Sequence, residues 1–148
     1  MNFIEIISLC GLVFGLTGAI LGGLSYFRNR SKLVVVLQWD MKIVNDPRFS
    51  KDKNCGVVTV TNVGRRPVYI SSAILKLPKK YNTHLMLIDS TNNKKLGEGD
   101  PPLTYFIDQD RLSSYSKEWK KIISEAKDTT GKIYSSKRVT KKPSWVNE

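Results

Sequence analysis

Proton transfer near neutral pH is usually the work of histidine, and this chain has one, His84, with no cysteine or histidine cluster around it. The ligand spacings that bind zinc are therefore absent. No Gly-x-Ser-x-Gly elbow, phosphate-binding loop or Gly-x-Gly-x-x-Gly fingerprint occurs either. Glu98, Asp100, Asp108 and Asp110 are near enough in sequence to converge on a divalent cation, but they lack the alternation of an EF-hand loop. Loop solvation and helix capping by Asp108 or Asp110 account for them more simply. The inventory supports no enzyme, no cofactor and no metal site.

Positive charge is the more informative chemistry. Arg65 and Arg66 stand in a turn, Lys79-Lys80 precede Tyr81, and Lys120-Lys121 follow Trp119. The tail Lys137-Arg138-Val139-Thr140-Lys141-Lys142-Pro143-Ser144-Trp145 mixes cations with an indole. With Arg28, Arg30 and Lys32, the candidate contacts for an anionic surface are Arg65, Arg66, Lys137, Arg138, Lys141, Lys142 and Trp145. Each Lys or Arg close to anionic headgroups contributes about 1 kcal/mol, with Trp145 at the interface. The same residues suit nucleic acid, through phosphates and base stacking, although tethering close to a bilayer favours lipid or protein over it. A solvated basic face with a disordered tail is the plain alternative.

Those charges are unevenly placed. The chain carries a formal +11, and residues 1–31 hold only Glu5, Arg28 and Arg30, so +10 lies beyond them. From Ile6 to Tyr26 run 21 residues without a charge. At about 1.5 Å per residue they span the ~30 Å hydrocarbon core of a bilayer. A cleaved signal peptide fits poorly, because MNFIEI lacks positive charge and Ser25-Tyr26-Phe27-Arg28 offers no small-x-small cleavage site. Residues 1–31 are thus expected to be a transmembrane anchor with a basic flank. Arg28, Arg30 and Lys32 follow the apolar run and none precedes it, which places the N-terminus outside and the rest in the cytoplasm, at the cell (inner) membrane. Cys10 lies in the anchor and Cys55 beyond it, so a disulfide between them is not expected, and free thiols suit a reducing compartment.

Ser8, Gly11, Gly15, Gly18, Gly22 and Ser25 recur at intervals of three and four, which aligns them on one stripe of a helix, broadened by Ala19 and Gly23. Stripes of small residues let two membrane helices approach closely. Association with another copy, or with another membrane protein, is the expectation. Glycine is also common in membrane helices for no such reason.

The remainder reads as strands. Leu33 to Met41 alternates apolar and polar residues in its second half, and Val57 to Thr61 is β-branched throughout. Asn62 to Pro67 supplies a turn before a third strand, Val68 to Leu77; Leu85 to Ile88 is a fourth, and Val44 to Asn54 a loop. Leu96 to Pro102 is an irregular connection into the apolar run Leu103 to Ile107. Leu112, Tyr115, Trp119, Ile122 and Ala126 fall at helical spacing. One reading is a helix from Asp110 to Ala126. The other stops a short helix near Lys121 and pairs a strand, Ile122 to Lys127, across Asp128-Thr129-Thr130-Gly131 with Lys132 to Val139; the turn chemistry favours it. These elements make a mostly-β domain over residues 32–139, a β-sandwich with one short helix, followed by a basic tail at 140–148.

The segment Thr59-Val60-Thr61-Asn62-Val63-Gly64-Arg65-Arg66-Pro67-Val68-Tyr69-Ile70 resembles the strand–turn–strand of bacterial immunoglobulin-like sandwiches. Uncharacterised bacterial and prophage-type single-pass membrane proteins are similar, with an L-x-E-G segment matched by Leu96-Gly97-Glu98-Gly99 and a D-[ST]-x-G hairpin matched by Asp128 to Gly131. The resemblance implies a fold and no catalytic residues. The functional expectation is a non-enzymatic, membrane-anchored interaction module. The alternative is a small effector of prophage or defence type whose assembled helices depolarise the membrane.

Overall fold

A computed structural model of the chain describes residues 2–43, 53–81, 83–87 and 93–146. Helix α1 runs Phe3–Arg28. Its lone acidic residue, Glu5, sits in the first turn and accepts a hydrogen bond from the Asn2 backbone N–H (2.9 Å), satisfying a donor that no helical carbonyl reaches. The one interior threonine, Thr17, returns its hydroxyl to the Val13 carbonyl (2.8 Å). The helix is long and apolar enough to cross a membrane, and none of its hydrophobic side chains is buried by the rest of the chain. Phe14, at its middle, is 77% exposed.

Beyond Lys32 the chain is mostly β, in two antiparallel sheets. The first has the order β1 (Leu33–Lys42), β2 (Asn54–Asn62), β6 (Leu103–Asp108). The second is centred on β3 (Val68–Lys76), with β7 (Ile123–Asp128) along one edge, followed by β8 (Ile133–Ser135). Two three-residue strands also pair with β3: β4 (His84–Met86) with its end and β5 (Lys94–Leu96) with its start. One hydrophobic core serves both sheets, with Leu33, Val35, Leu37, Val58 and Val60 from the first and Ile70, Leu75, Ile122 and Ala126 from the second strand layer and its approach. In β1, buried Leu33, Val35, Leu37 and Trp39 alternate with exposed Val34, Val36 and Gln38. A period of two that switches burial at every step is what a half-buried strand requires.

Of the two readings for residues 110–139, the hairpin is the one found. Gln109–Lys121 is a 3-10 stretch interrupted at Glu118 (φ −122°, ψ 21°), and residues 123–128 are strand. Asp108 caps its start by accepting from the Asp110 N–H. The irregular connection expected from Leu96 begins one residue later, because Lys94–Leu96 joins β3 as an edge strand. The loop expected at 44–54 lies outside the described residues as far as 52, as does Ile88; Asn54 already belongs to β2.

The expectation of a free basic tail with Trp145 at an interface is corrected. Trp145 is 9% exposed, in the core with Val146, and meets Trp39 edge-to-face at 5.6 Å and 70°. The cause is a bulge in β1: pairing steps from Gln38–Val57 to Met41–Cys55, one residue too many on β1. Asp40 absorbs it with φ 59°, a left-handed value that aspartate tolerates better than most. Its carboxylate then accepts from both the backbone N–H (3.0 Å) and the hydroxyl of Ser144, which fastens the C-terminal segment. Opposite, a Cβ on Gly56 would lie 2.5 Å from the Trp39 ring, so glycine makes the space that the indole fills.

The β7–β8 turn is organised by one carboxylate. Asp128 accepts from the Thr130 hydroxyl (2.6 Å), the Thr130 and Lys132 N–H groups (both 2.9 Å) and the Tyr134 hydroxyl (3.4 Å), while Gly131 takes φ 89°. Burial pushes the Asp128 carboxyl up, but these four donors more than offset it and hold it below the usual carboxylate range. A depressed folded-state value stabilises the fold above the unfolded pKa and ceases to do so as pH falls through the folded one. Urea unfolding of the full chain in detergent, followed by tryptophan fluorescence, should therefore lose stability in acid. Asp128→Asn should be about 1–3 kcal/mol less stable at neutral pH and show a flatter acid limb. Equal acid slopes for the two proteins would contradict this role.

Candidate functional site

The three segments that carry the resemblance are far apart in sequence and meet at one end of the domain, where α1 joins it. Asn62, at the end of β2, pairs with Leu33 at the start of β1. Its side-chain amide donates to the carbonyls of Arg66 (2.8 Å) and Leu96 (2.9 Å), and its Oδ1 accepts from the Gly64 N–H (2.9 Å). A buried amide with all three bonds made is a structural tie. It closes the β2–β3 turn and joins it to the Leu96-Gly97-Glu98-Gly99 segment. There Asp100 accepts from the Gly97 N–H (2.6 Å), and Gly99 adopts φ 77°. Asp128 lies opposite Ile70 in β3, and the Thr129 N–H reaches the Tyr69 carbonyl (3.0 Å), which brings the β7–β8 turn to the same end.

The β2–β3 turn also grips the segment leaving the helix. The Val63 and Gly64 N–H groups both donate to the Lys32 carbonyl, at 2.9 and 3.2 Å. Gly64 lies so close that a Cβ would collide with the Arg30 carbonyl and come within 2.5 Å of the Lys32 nitrogen. Those neighbours are backbone and cannot rotate aside. The helix therefore enters the domain through a short, hydrogen-bonded strap.

Around this strap the cations are exposed. Arg30 stacks on Phe27 (4.7 Å) and Tyr26 (5.1 Å), two rings that meet edge-to-face at 5.8 Å. Lys32, Arg65 and Arg66 point outward, and Arg65 faces Glu98 across 3.8 Å. Lys95, paired opposite Tyr69, and Lys132, whose ammonium lies 4.9 Å from the Tyr134 ring, add charge at this end. Neither was marked by the sequence, because each is an isolated lysine between ordinary residues.

The candidate cations are not one surface. Arg30, Lys32, Arg65 and Arg66 stand at the helix-proximal end, and Arg28 closes α1. Lys137, Arg138, Lys141 and Lys142 are exposed too, but their segment docks on Asp40 and Asn54 at the far ends of β1 and β2. The eight-residue run from Lys32 to Asp40 separates the groups by about 26 Å. Trp145 belongs to neither, being core. The stripe Ser8, Gly11, Gly15, Gly18, Gly22 and Ser25 lies exposed along α1.

The acidic residues are dispersed. Glu98 faces Arg65, Asp100 holds Gly97, Asp108 caps the 3-10 stretch, and Asp110 pairs with Lys53 at 2.6 Å. That hydrogen bond and the Asp110 charge raise the Lys53 ammonium above its ordinary value. Among the described residues no three His, Cys, Asp or Glu side chains converge on a metal position. Cys55 is buried, with its thiol directed at the Met41 carbonyl (3.1 Å) and pushed up by burial, while Cys10 is exposed on α1. The two thiols are free.

If the strap is set by backbone contact at Gly64, Gly64→Ala should lower the domain's unfolding free energy by about 1–3 kcal/mol in the same urea assay. Gly22→Ala, where a Cβ meets nothing within 4 Å, should leave it unchanged. Equal stability of Gly64→Ala and wild type would show that the strap is slack. Compared with known proteins, the chain matches no family model and no curated protein.

Proposed function

We propose that this chain is a non-enzymatic interaction module of the cell (inner) membrane, spanning the bilayer once with its N-terminus outside. Helix α1 associates with a second helix through Ser8, Gly11, Gly15, Gly18, Gly22 and Ser25. The cytoplasmic domain, an immunoglobulin-like β-sandwich, presents its helix-proximal cations to anionic lipid or to a protein partner.

One observation carries the association. A Cβ placed on Gly11, Gly15, Gly18, Gly22 or Gly23 meets nothing within 4 Å, so no packing among the described residues calls for glycine. Each glycine costs a helix about 1 kcal/mol relative to alanine. Fluid lipid tails do not need a missing side chain, whereas a closely approaching helix does. The orientation rests on Arg28, Arg30 and Lys32 following the apolar run. The sandwich reading rests on two antiparallel sheets around one core, with the Asn62 turn at their end.

The test is co-purification of two differently tagged full-length copies from mild detergent, with mass spectrometry of the eluate. Wild type should recover the second copy or one other membrane protein in fixed ratio. The triple variant Gly15→Ile, Gly18→Ile, Gly22→Ile should lose that partner at least tenfold. Undiminished recovery with the triple variant would sink the proposal.

A further inference from the structure

The end of α1 and the β2–β3 turn enclose a groove of about 380 Å³ that neither the core nor the strap uses. Its lining comes from one face of the helix, Leu21, Leu24, Ser25 and Asn29, and from Arg65 across the gap. We propose that this groove binds an anionic glycerophospholipid, with its phosphate on Arg65 and an acyl chain along Leu21 and Leu24. The inference rests on the reading of α1 as a membrane span.

The order of the lining is the argument. From Asn29 back to Leu21 the helix covers about 12 Å, and its side chains pass from amide to hydroxyl to isobutyl. A glycerophospholipid presents the same sequence of chemistry over that depth: charged phosphate, ester-linked glycerol, then hydrocarbon. Arg65, next to the Gly64 that packs on Arg30 and Lys32, completes the lining, and Tyr26 and Phe27 mark the place of an interfacial aromatic pair. Its guanidinium is half-exposed and among the described residues pairs with Glu98 at 3.8 Å, longer than a hydrogen bond, so its donors remain open to a phosphodiester. Arg30, Lys32 and Arg66 on the same turn and strap make the end positive, against Glu98 as the facing acid. An apolar floor excludes nucleic acid phosphates, which bring no hydrocarbon to cover Leu21 and Leu24. Ser25 belongs both to this groove and to the small-residue stripe, so a bound lipid would lie beside the associated helix and not beneath it.

The experiment is native mass spectrometry of the full-length protein from mixed micelles containing phosphatidylglycerol and phosphatidylcholine. Phosphatidylglycerol should remain bound, one molecule per chain, and phosphatidylcholine should not. Arg65→Gln should reduce the retained fraction about tenfold, the scale of one charge-assisted hydrogen bond. Arg65→Lys should keep part of it, and Arg138→Gln, at the far end, all of it. Equal loss from Arg65→Gln and Arg138→Gln, or equal retention of both lipids, would overturn the site. Displacement of phosphatidylglycerol by inorganic phosphate alone would show that the acyl chain is not read, and would overturn it as well. Release of the chain from membranes by alkaline carbonate would defeat the membrane reading itself. Retention in membranes without bound phosphatidylglycerol would defeat the groove alone.

Discussion

Among the described residues nothing buries the apolar side chains of helix α1, and that constraint governs the rest of the molecule. More than a dozen large apolar side chains between Phe3 and Phe27 are exposed. Each of them left in water forgoes about 1.5–3 kcal/mol of burial free energy. In the proposed function, lipid and a second helix take them. Two of its polar side chains bond to its own backbone: Glu5 serves the Asn2 N–H, and Thr17 returns its hydroxyl to Val13. In hydrocarbon an unsatisfied polar group costs several kcal/mol, so these bonds matter more there than in water.

The second consequence is mechanical. A helix held in a bilayer would transmit its position to the β-domain through residues 29–32, where the backbone is gripped by the Asn62–Gly64 turn. Asn62 extends that grip to Leu96, and β3 pairing extends it to the Asp128 turn. The positive charge beside the strap is therefore carried on a braced end, while the opposite end is closed by Ser144 and Trp145. A basic patch on a rigid mount would meet an anionic surface in one orientation. Cations on a loose tail would not.

Much of this was legible in the sequence, for definable reasons. The alternation in β1, the β-branched run of β2 and the Asp-Thr-Thr-Gly turn are local patterns with local causes. Asn62 and Gly64 were visible as a motif, though not their bonds to Leu96 and Lys32, which depend on which strand ends coincide. Strand β5 was hidden because three residues containing two lysines carry no period. The helical spacing of Leu112, Tyr115 and Trp119 was real, but the chain meets it with an interrupted 3-10 stretch, with Leu112 and Trp119 buried. Trp145 misled because cations surround it in sequence. Its burial is decided by Trp39 and by the space at Gly56, contacts that composition cannot report. The cations divided between two ends for the same reason: sequence distance does not say which end of a strand a loop returns to.

The most direct test of the central claim is a cysteine scan of α1 in native membranes. Single cysteines are placed in turn at positions 7 to 25 of a chain whose Cys10 is otherwise serine, and disulfide formation between chains is read after mild oxidation. A helix paired with another copy along its small-residue stripe predicts maxima at 8, 11, 15, 18, 22 and 25, with low yields between. Even yields at all positions, or maxima on the opposite face, would contradict pairing through this stripe.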